Sequence, residues 1–472
     1  MQKNIALFVL DQLTWRALPA YGNPFAHTPN IDRIARESLM IDRCYTPCPL
    51  CQPARASFWS GRYPHETGVL SNGQLWPETG IREDLPTLGE LFSEAGWQTV
   101  HFGKTHDQGA LRGFECEPER ERVLPVENEV FPLNTDSFRD AYTVEAACRF
   151  LKKRRDERPL FMITDLVNPH NICGWVGANK GVHKSMECDI PLPPLPENFT
   201  YEDIKNRPAA VRYICCTNNR QAQAAGWTPE NFREYLRAYY YYLSMADRSV
   251  GQVLDCLEQQ GYTPENTLFV LVADHGDSMA AHGLVTKQIH FYEEITRVPM
   301  IFKGPGVQPG RREGIASLLD LFPTLCGWAG IPEPEGLRGL SLKDTLAGAE
   351  LPKRKYVASE WHTEWGYTVS PGRMLRTDRY KYTKYAEDGA EELFDLQKDP
   401  FEKKNTAKDP SYAEVLEDMR QLLSEHEALT EDPFETLPWK ADKRWRSHPA
   451  GYQNHHGIAA PMAKDQEKES RT

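Results

Sequence analysis

Short apolar runs alternate with amphipathic stretches over the first two thirds of the chain, the pattern of parallel strands joined by crossover helices. The strand candidates are residues 5–10, 99–102, 160–167, 267–273 and 298–302. A helical stretch from about Thr87 stops at Gly96, a natural residue for the turn after a helix. A second helix covers about 141–153. The longest predicted helix spans about 230–260, with Thr228 as cap, Pro229 in the first turn and Gly261 at the stop. Phe232, Leu236, Tyr239, Leu243, Ala246, Val250, Val253 and Leu257 recur three or four residues apart along it. That spacing predicts a buried stripe, and the tyrosine run 239–242 reads as core and groove packing rather than a ligand box.

The pattern changes after about residue 352. Segments 356–361, 373–377, 380–385 and 392–396 are turn-separated strand candidates, followed by a helix over about 412–427. They predict a small antiparallel sheet carrying a helix. The expected organisation is a catalytic α/β domain over 1–351, an α+β subdomain over 352–432 and a polar arm over 433–472. The arm holds Trp439, Trp445, His455 and His456, which read as a solvated tail.

Composition narrows the function classes. The chain has 472 residues and a formal net charge of −12, with 40% hydrophobic and 26% charged positions. These values suit a folded globular protein. The acidic balance argues against a nucleic-acid binder, yet leaves room for a local cationic pocket. No apolar run approaches the roughly 18 residues needed to cross a bilayer. The opening residues turn polar too quickly for a signal peptide, so the chain as given reads as cytoplasmic, with no membrane partner. Eleven cysteines cannot all pair internally, and most are expected to be reduced.

In open α/β sheets, ligands bind beyond the carboxyl ends of the strands. Those ends are unusually polar here: Asp11-Gln12 after the first, Lys104-Thr105-His106 after the second, His170 after the third and Asp274-His275 after the fourth. Asp11, Gln12, Asp274 and His275 offer oxygen donors and one imidazole, which suits Ca²⁺, Mg²⁺ or Mn²⁺. Lys104, His106, His170 and Lys287 would form a cationic ring fitted to a tetrahedral anion.

Cys51-Gln52-Pro53-Ala54-Arg55 is the most informative segment. Pro53 suits the first turn of a helix, which puts Cys51 at its positive end, with Arg55 one turn on. Such surroundings favour an anionic nucleophile, though a buried structural cysteine is the bland alternative. The spacing of Cys44, Cys48 and Cys51 also matches an iron–sulfur cluster motif, which the Pro-started helix and the oxygen donors elsewhere argue against.

Taken together, these motifs resemble a type I sulfatase of the alkaline phosphatase superfamily. The matching residues are Cys51-Gln52-Pro53-Ala54-Arg55 with Ser60-Gly61-Arg62, then Asp11, Lys104, His106, His170, Asp274 to Gly276, and Arg297-Val298-Pro299. Glu392 to Leu396 and Asp399-Pro400 resemble the family's C-terminal sheet. The resemblance implies a large, mostly parallel sheet flanked by helices, plus the smaller antiparallel sheet. It implies that a maturation enzyme oxidises Cys51 to formylglycine, whose hydrate attacks sulfur and releases sulfate as the aldehyde re-forms. It implies one divalent ion, calcium first and manganese or magnesium as alternatives, bound by Asp11, Gln12, Asp274, His275 and residue 51. Arg55 and Lys104 would stabilise the hydrate, His106 would take its proton, and His170 and Lys287 would contact the sulfate.

Gln12, Ala54, Thr105 and His275 depart from the commonest family residues, and several of these choices also resemble phosphonate monoester hydrolases and choline-sulfatase-like members. The expected reaction is hydrolysis of a sulfate ester, by default on a carbohydrate. A phosphonate monoester or phosphodiester hydrolase, and a non-catalytic binder of sulfated glycans, remain the alternatives. Asn72, His282, His362 and Glu364 are further substrate-contact candidates; His290, Arg212 and the Cys215-Cys216 pair could line the pocket.

Overall fold

The computed structural model describes residues 3–72, 80–118, 137–179, 188–200, 207–208, 210–211, 219–224, 226–287, 289–363, 371–386 and 388–436. Arg212, Cys215, Cys216, Glu364 and the arm's Trp439, Trp445, His455 and His456 lie outside them.

Among the described residues, twelve strands form two sheets. The larger contains β1 (Asn4–Leu10), β2 (Leu39–Tyr45), β3 (Gln98–Gly103), β4 (Glu115–Pro118), β5 (Leu160–Leu166), β6 (Thr267–Ala273), β7 (Arg297–Lys303) and β8 (Gly310–Ser317). Their order is β4-β3-β5-β1-β6-β7-β2-β8. β7 runs antiparallel to both of its neighbours; every other pairing is parallel. β1, β5 and β6 are buried at every position, which explains their unbroken apolar runs.

The sequence pattern located β1, β3, β5, β6 and β7 but not β2, β4 or β8. β8 carries Arg311, Arg312 and Glu313 on its open edge, and β4 is largely exposed, so neither shows an apolar signature. β2 is interrupted by Asp42-Arg43, where its register to both neighbours shifts.

Helix Leu88–Glu94 starts at Thr87, whose side chain accepts from Glu90 N–H while Glu90 answers at the cap. Helix Pro229–Gln259 starts at Thr228 with the same reciprocal arrangement through Asn231. A disulfide between Cys148 and Cys256, with Cα atoms 5.7 Å apart, joins helix Ser137–Lys153 to that long helix. The other described cysteines are unpaired, as expected for most. No helix among the described residues is long and apolar enough to cross a membrane.

The second sheet is antiparallel, in the order β12-β11-β10-β9. Its strands are β9 (Val357–Trp361), β10 (Gly372–Arg376), β11 (Tyr380–Tyr385) and β12 (Glu391–Asp395). Helix Ala413–Thr430 covers it, with Leu416, Met419 and Leu423 packed into one apolar cluster with Leu375, Tyr382 and Leu393.

Candidate active site

The sheet order explains why the polar strand ends meet. β3, β5, β1 and β6 are adjacent and parallel, so their carboxyl ends share one edge. Lys104, His170, Asp11 and Asp274 follow those ends. Gly103 turns the chain at φ +107°, and a Cβ there would sit 2.0 Å from the Asp165 carbonyl oxygen. Only glycine lets Lys104 leave the strand so close to β5.

The signature segment forms helix Cys51–Ser60, buried along its whole length and stopped by Gly61 at φ +69°. Pro53 occupies the first turn, where its missing N–H costs nothing. The Gln52 N–H donates to Asn72 Oδ1 at 3.1 Å, so Asn72 caps this helix from outside it. Asn72 also lines the cavity described below.

Position 51 is the meeting point. The Cys51 sulfur lies 3.2 Å from His275 Nε2, 3.7 Å from Asp11 Oδ1 and 2.7 Å from Lys287 Nζ. Burial pushes the thiol up to about 11, against the pull of Lys287 and Arg55. An unmodified Cys51 is therefore protonated at neutral pH, and desolvation overrides the helix end and cations that favour a thiolate.

Arg55 reaches the other side of the same point. Its Nε donates to Asp274 Oδ2 at 2.9 Å, and its Nη1 donates to Asp165. His101 Nε2 lies 3.4 Å from the same Asp165 carboxylate. Asp165 and His101 were not anticipated from sequence. A charged residue at the centre of the apolar run 160–167 was the signal that could have exposed Asp165.

Asp11, Cys51, Asp274 and His275 offer ligand atoms that all lie within 4.8 Å of one another. His275 Nδ1 faces the Gly276 carbonyl oxygen at 2.8 Å, and a carbonyl can only accept. The proton therefore sits on Nδ1, and Nε2 presents a lone pair. That lone pair faces Asp11 Oδ1 at 3.7 Å and Asp274 Oδ1 at 3.8 Å. Burial keeps the ring neutral, with its pKa lowered to about 3. Two carboxylates and an imidazole lone pair pointed at one spot form a donor set for a hard or borderline divalent cation. Four of the five sequence-predicted donors, Asp11, Cys51, Asp274 and His275, thus fit a metal on this structure's own geometry.

Gln12 is set beside them at φ +66°. Its amide nitrogen donates to Asp277 at 2.6 Å and its Oε1 accepts from the Cys173 thiol at 3.4 Å. Tyr239 donates to the Gln12 carbonyl at 2.7 Å, and Tyr235 donates to Asp277. Tyr239 is buried in the core, as expected for the tyrosine run, but its hydroxyl and that of Tyr235 also brace this corner.

A cavity of about 580 Å³ lies beside position 51, lined by its neighbour Gln52 and by Lys287, whose Nζ reaches the Cys51 sulfur. Lys104, His106, His170 and Lys287 all line it, as does Asn72. Lys104 donates to Asp11. Burial, then Lys104, Arg55 and Lys287, push the His106 imidazole well below its ordinary value, which makes it a neutral proton acceptor. Gln52, Gln108, Arg139 and Arg220 also line the cavity and were not anticipated.

His282 and His362, read from sequence as substrate contacts, are not among the described residues lining this cavity. His282 is turned into a separate buried cluster, with Arg207 2.8 Å from Nδ1 and Asn198 3.3 Å from Nε2. Glu294 and Glu402, both buried, join that cluster. His362 is buried just past β9, near Arg373 and Glu360. His290 faces Ser278 and stacks on Tyr292, also away from the cavity.

Comparison with known proteins gives concordant findings. The family model described as Sulfatase matches residues 3–331, and that described as N-sulphoglucosamine sulphohydrolase, C-terminal, matches residues 280–428. The chain is 46% identical over 465 residues to the Delta 4,5-hexuronate-2-O-sulfatase of Bacteroides thetaiotaomicron, covering 97% of this chain and 95% of that one. It is 45% identical to a solved 2-O GAG sulfatase, with a TM-score of 0.88 and coverage of 95% and 96%. The phosphonate monoester hydrolase of Agrobacterium radiobacter has a TM-score of 0.75 at 20% identity, with coverage of 92% and 97%, and shares the fold.

Proposed function

The chain belongs to the sulfatase family, a group of sulfuric ester hydrolases, and from that premise we propose that it hydrolyses the 2-O-sulfate of a Δ4,5-hexuronate in a sulfated saccharide. The observation that supports this reading is position 51, within reach of Asp11, His275 and Lys287 and joined through Lys287 to a cationic cavity. The near full-length 46% identity to a hexuronate-2-O-sulfatase supports the choice of sugar.

Residue 51 is read as the site of formylglycine, which when hydrated supplies a gem-diol oxygen as nucleophile. Asp11, Gln12, Asp274, His275 and residue 51 would hold one divalent ion, calcium by the oxygen-rich donor set; Gln12 Oε1 joins by giving up the weak thiol donor of Cys173. When bound, that ion supplies Lewis-acid polarisation of the sulfate.

The chain's own residues do the rest. Lys287 and Lys104 put positive charge where the sulfate oxygens gather charge. Arg55, clamped between Asp165 and Asp274, holds the oxygens of residue 51 in place. His106, neutral and beside the cavity, takes the proton from the hydrate. His170, on the cavity wall and kept neutral by burial and by Lys287 and Lys104, offers a ring N–H as a hydrogen-bond donor to the leaving alcohol oxygen.

The test has two readouts. Mass analysis of the tryptic peptide around position 51, after co-expression with a formylglycine-generating enzyme, should show the aldehyde or its hydrate. Free-sulfate assays on defined saccharides should show release from unsaturated 2-O-sulfated hexuronate and little from 6-O-sulfated hexosamine. Faster cleavage of a matched phosphonate monoester than of any sulfate ester overturns the reading without touching the fold.

A further inference from the structure

Two neutral amides face each other on the wall of the cavity. Gln108 Nε2 donates to Gln52 Oε1 at 3.0 Å, and both residues line the cavity. That bond occupies one group of each side chain. The Gln52 amide nitrogen and the Gln108 amide oxygen are left over, with no partner among the described residues. Exchanging oxygen for nitrogen in both amides reverses the bond and leaves the same pair, one amide N–H₂ and one carbonyl oxygen.

Both amides are aimed by their backbones. Gln52 sits in the first turn of helix Cys51–Ser60, directly after position 51, and its N–H donates to Asn72 Oδ1 at 3.1 Å. Gln108 is held in the left-handed region at φ +55°, and its carbonyl accepts from Ile81 N–H at 2.9 Å. A residue other than glycine is strained in that region, and such strain gathers where a side chain has to be aimed. The pair also lies close to the reacting end. Consecutive α-carbons are about 3.8 Å apart, and Lys287, which lines the same cavity, reaches the sulfur of residue 51 at 2.7 Å.

The pair differs in kind from the groups around it. Lys104 and Lys287 only donate, and the oxygens of a sulfate or a carboxylate only accept. A hydroxyl does both, so it is the group that satisfies an N–H and a carbonyl oxygen presented together. We propose that Gln52 and Gln108 form a hydroxyl subsite that takes the C3 hydroxyl of the hexuronate whose C2 sulfate is cleaved at position 51. This rests on the substrate reading above, which leaves one candidate on the ring. C1 carries the glycosidic bond, C2 the sulfate, and C4 and C5 the double bond. The hydroxyl on C3 is the one that remains. It neighbours the sulfate, as Gln52 neighbours residue 51.

The experiment uses matured, calcium-loaded enzyme, with conversion of residue 51 checked by mass in every preparation. The substrates are the unsaturated 2-O-sulfated hexuronate disaccharide, its 3-deoxy analogue and its 3-O-methyl ether. In the wild type, kcat/KM should fall about 10- to 100-fold on the 3-deoxy analogue, because both amides lose their partner. It should fall at least as far on the ether, whose oxygen accepts but no longer donates. Gln52→Met and Gln108→Ala should each lower kcat/KM about 10-fold on the parent disaccharide and leave the 3-deoxy analogue within about 3-fold. The wild-type comparison decides the matter even where a variant fails to fold.

If water alone satisfies the pair, the wild type cleaves the 3-deoxy analogue as fast as the parent, and the subsite is overturned while the substrate reading stands. Equal losses in the variants on both of these substrates overturn it in the same way. If the matured wild type releases no sulfate from the parent disaccharide, the substrate reading itself fails, and the C3 assignment falls with it.

Discussion

At the seam between the two sheets, Arg373 grips Asp432 through two nitrogens, and His65 sits between Glu360 at 2.8 Å and the Thr430 carbonyl at 3.0 Å. Around position 51, Arg55 forks between Asp165 and Asp274, and Lys104 meets Asp11. Both regions are buried, and both bring histidine and carboxylates within ligand distance of one another. They differ in what is left over. In the seam, each cation faces a matched anion and His65 spends both ring nitrogens on acceptors. Around position 51, His275 aims a lone pair at two carboxylates, and Lys287 faces the side chain of residue 51 rather than an acid. Buried charge alone therefore does not mark a site. A donor set that is incomplete without a ligand, beside an open cavity, does.

This contrast breaks if mutations on the two sides have similar consequences. The largest effect belongs to Cys51→Ala, which should cut sulfate release by at least ~10⁴-fold while leaving the thermal midpoint nearly unchanged. Retained turnover in initial-rate assays would remove residue 51 from the chemistry. Chelation comes next. Dialysis against a strong chelator should lower kcat on the order of 10³-fold, and calcium should restore it, with far-UV circular dichroism unchanged throughout. A chelated enzyme of full activity would contradict the donor-set reading.

In the seam the order reverses. Arg373→Ala leaves Asp432 buried without its partner, so unfolding in urea should lose about 3–5 kcal/mol. The kcat of the protein that remains folded should stay within about 2-fold of wild type. An Arg373→Ala protein of normal stability but poor turnover would make the seam part of the site.

The smallest effect is one of pH. Burial lowers the His65 imidazole, but Glu360, then Asp432 and the Thr430 carbonyl, outweigh it and carry the pKa up to about 9. Burial raises Glu360, but His65 and Arg373 hold it near 2. These are two views of one interaction. The protonated imidazole is favoured in the fold, so its contribution is complete below the unfolded value of about 6.5 and is lost as pH rises through 9. The expected loss between pH 6.5 and 9.5 is about 2–3 kcal/mol in urea titrations, and His65→Asn should flatten it. A wild-type curve that stays flat over that range would mean the imidazole is neutral in the fold.

Much of the larger sheet was legible because its central strands are buried on both faces and leave unbroken apolar runs. The direction of β7 was not, since an antiparallel strand buried on both faces looks the same in sequence. β8 was hidden by its own edge charges. Asp165 was hidden for the opposite reason, as one carboxylate inside a run that reads as pure core. The residues at the polar strand ends could be named because each follows its strand with a ligand or anion-binding side chain. His282 carries the same signal and lies elsewhere, since a histidine near Lys287 in sequence can be turned either way by the loop between them.

The sequence determined the chemistry available: a Cys-x-Pro-x-Arg helix start, oxygen and imidazole donors at strand ends, and cations to meet an anion. These follow from local rules of turn, cap and strand that act over a few residues. The tertiary structure decided which of those groups converge. Strand order placed β3, β5, β1 and β6 side by side, and burial raised the Cys51 thiol. Packing set Gln52 and Gln108, 56 residues apart, against each other on the cavity wall. Convergence and desolvation are properties of neighbours in space, which a reading along the chain does not contain.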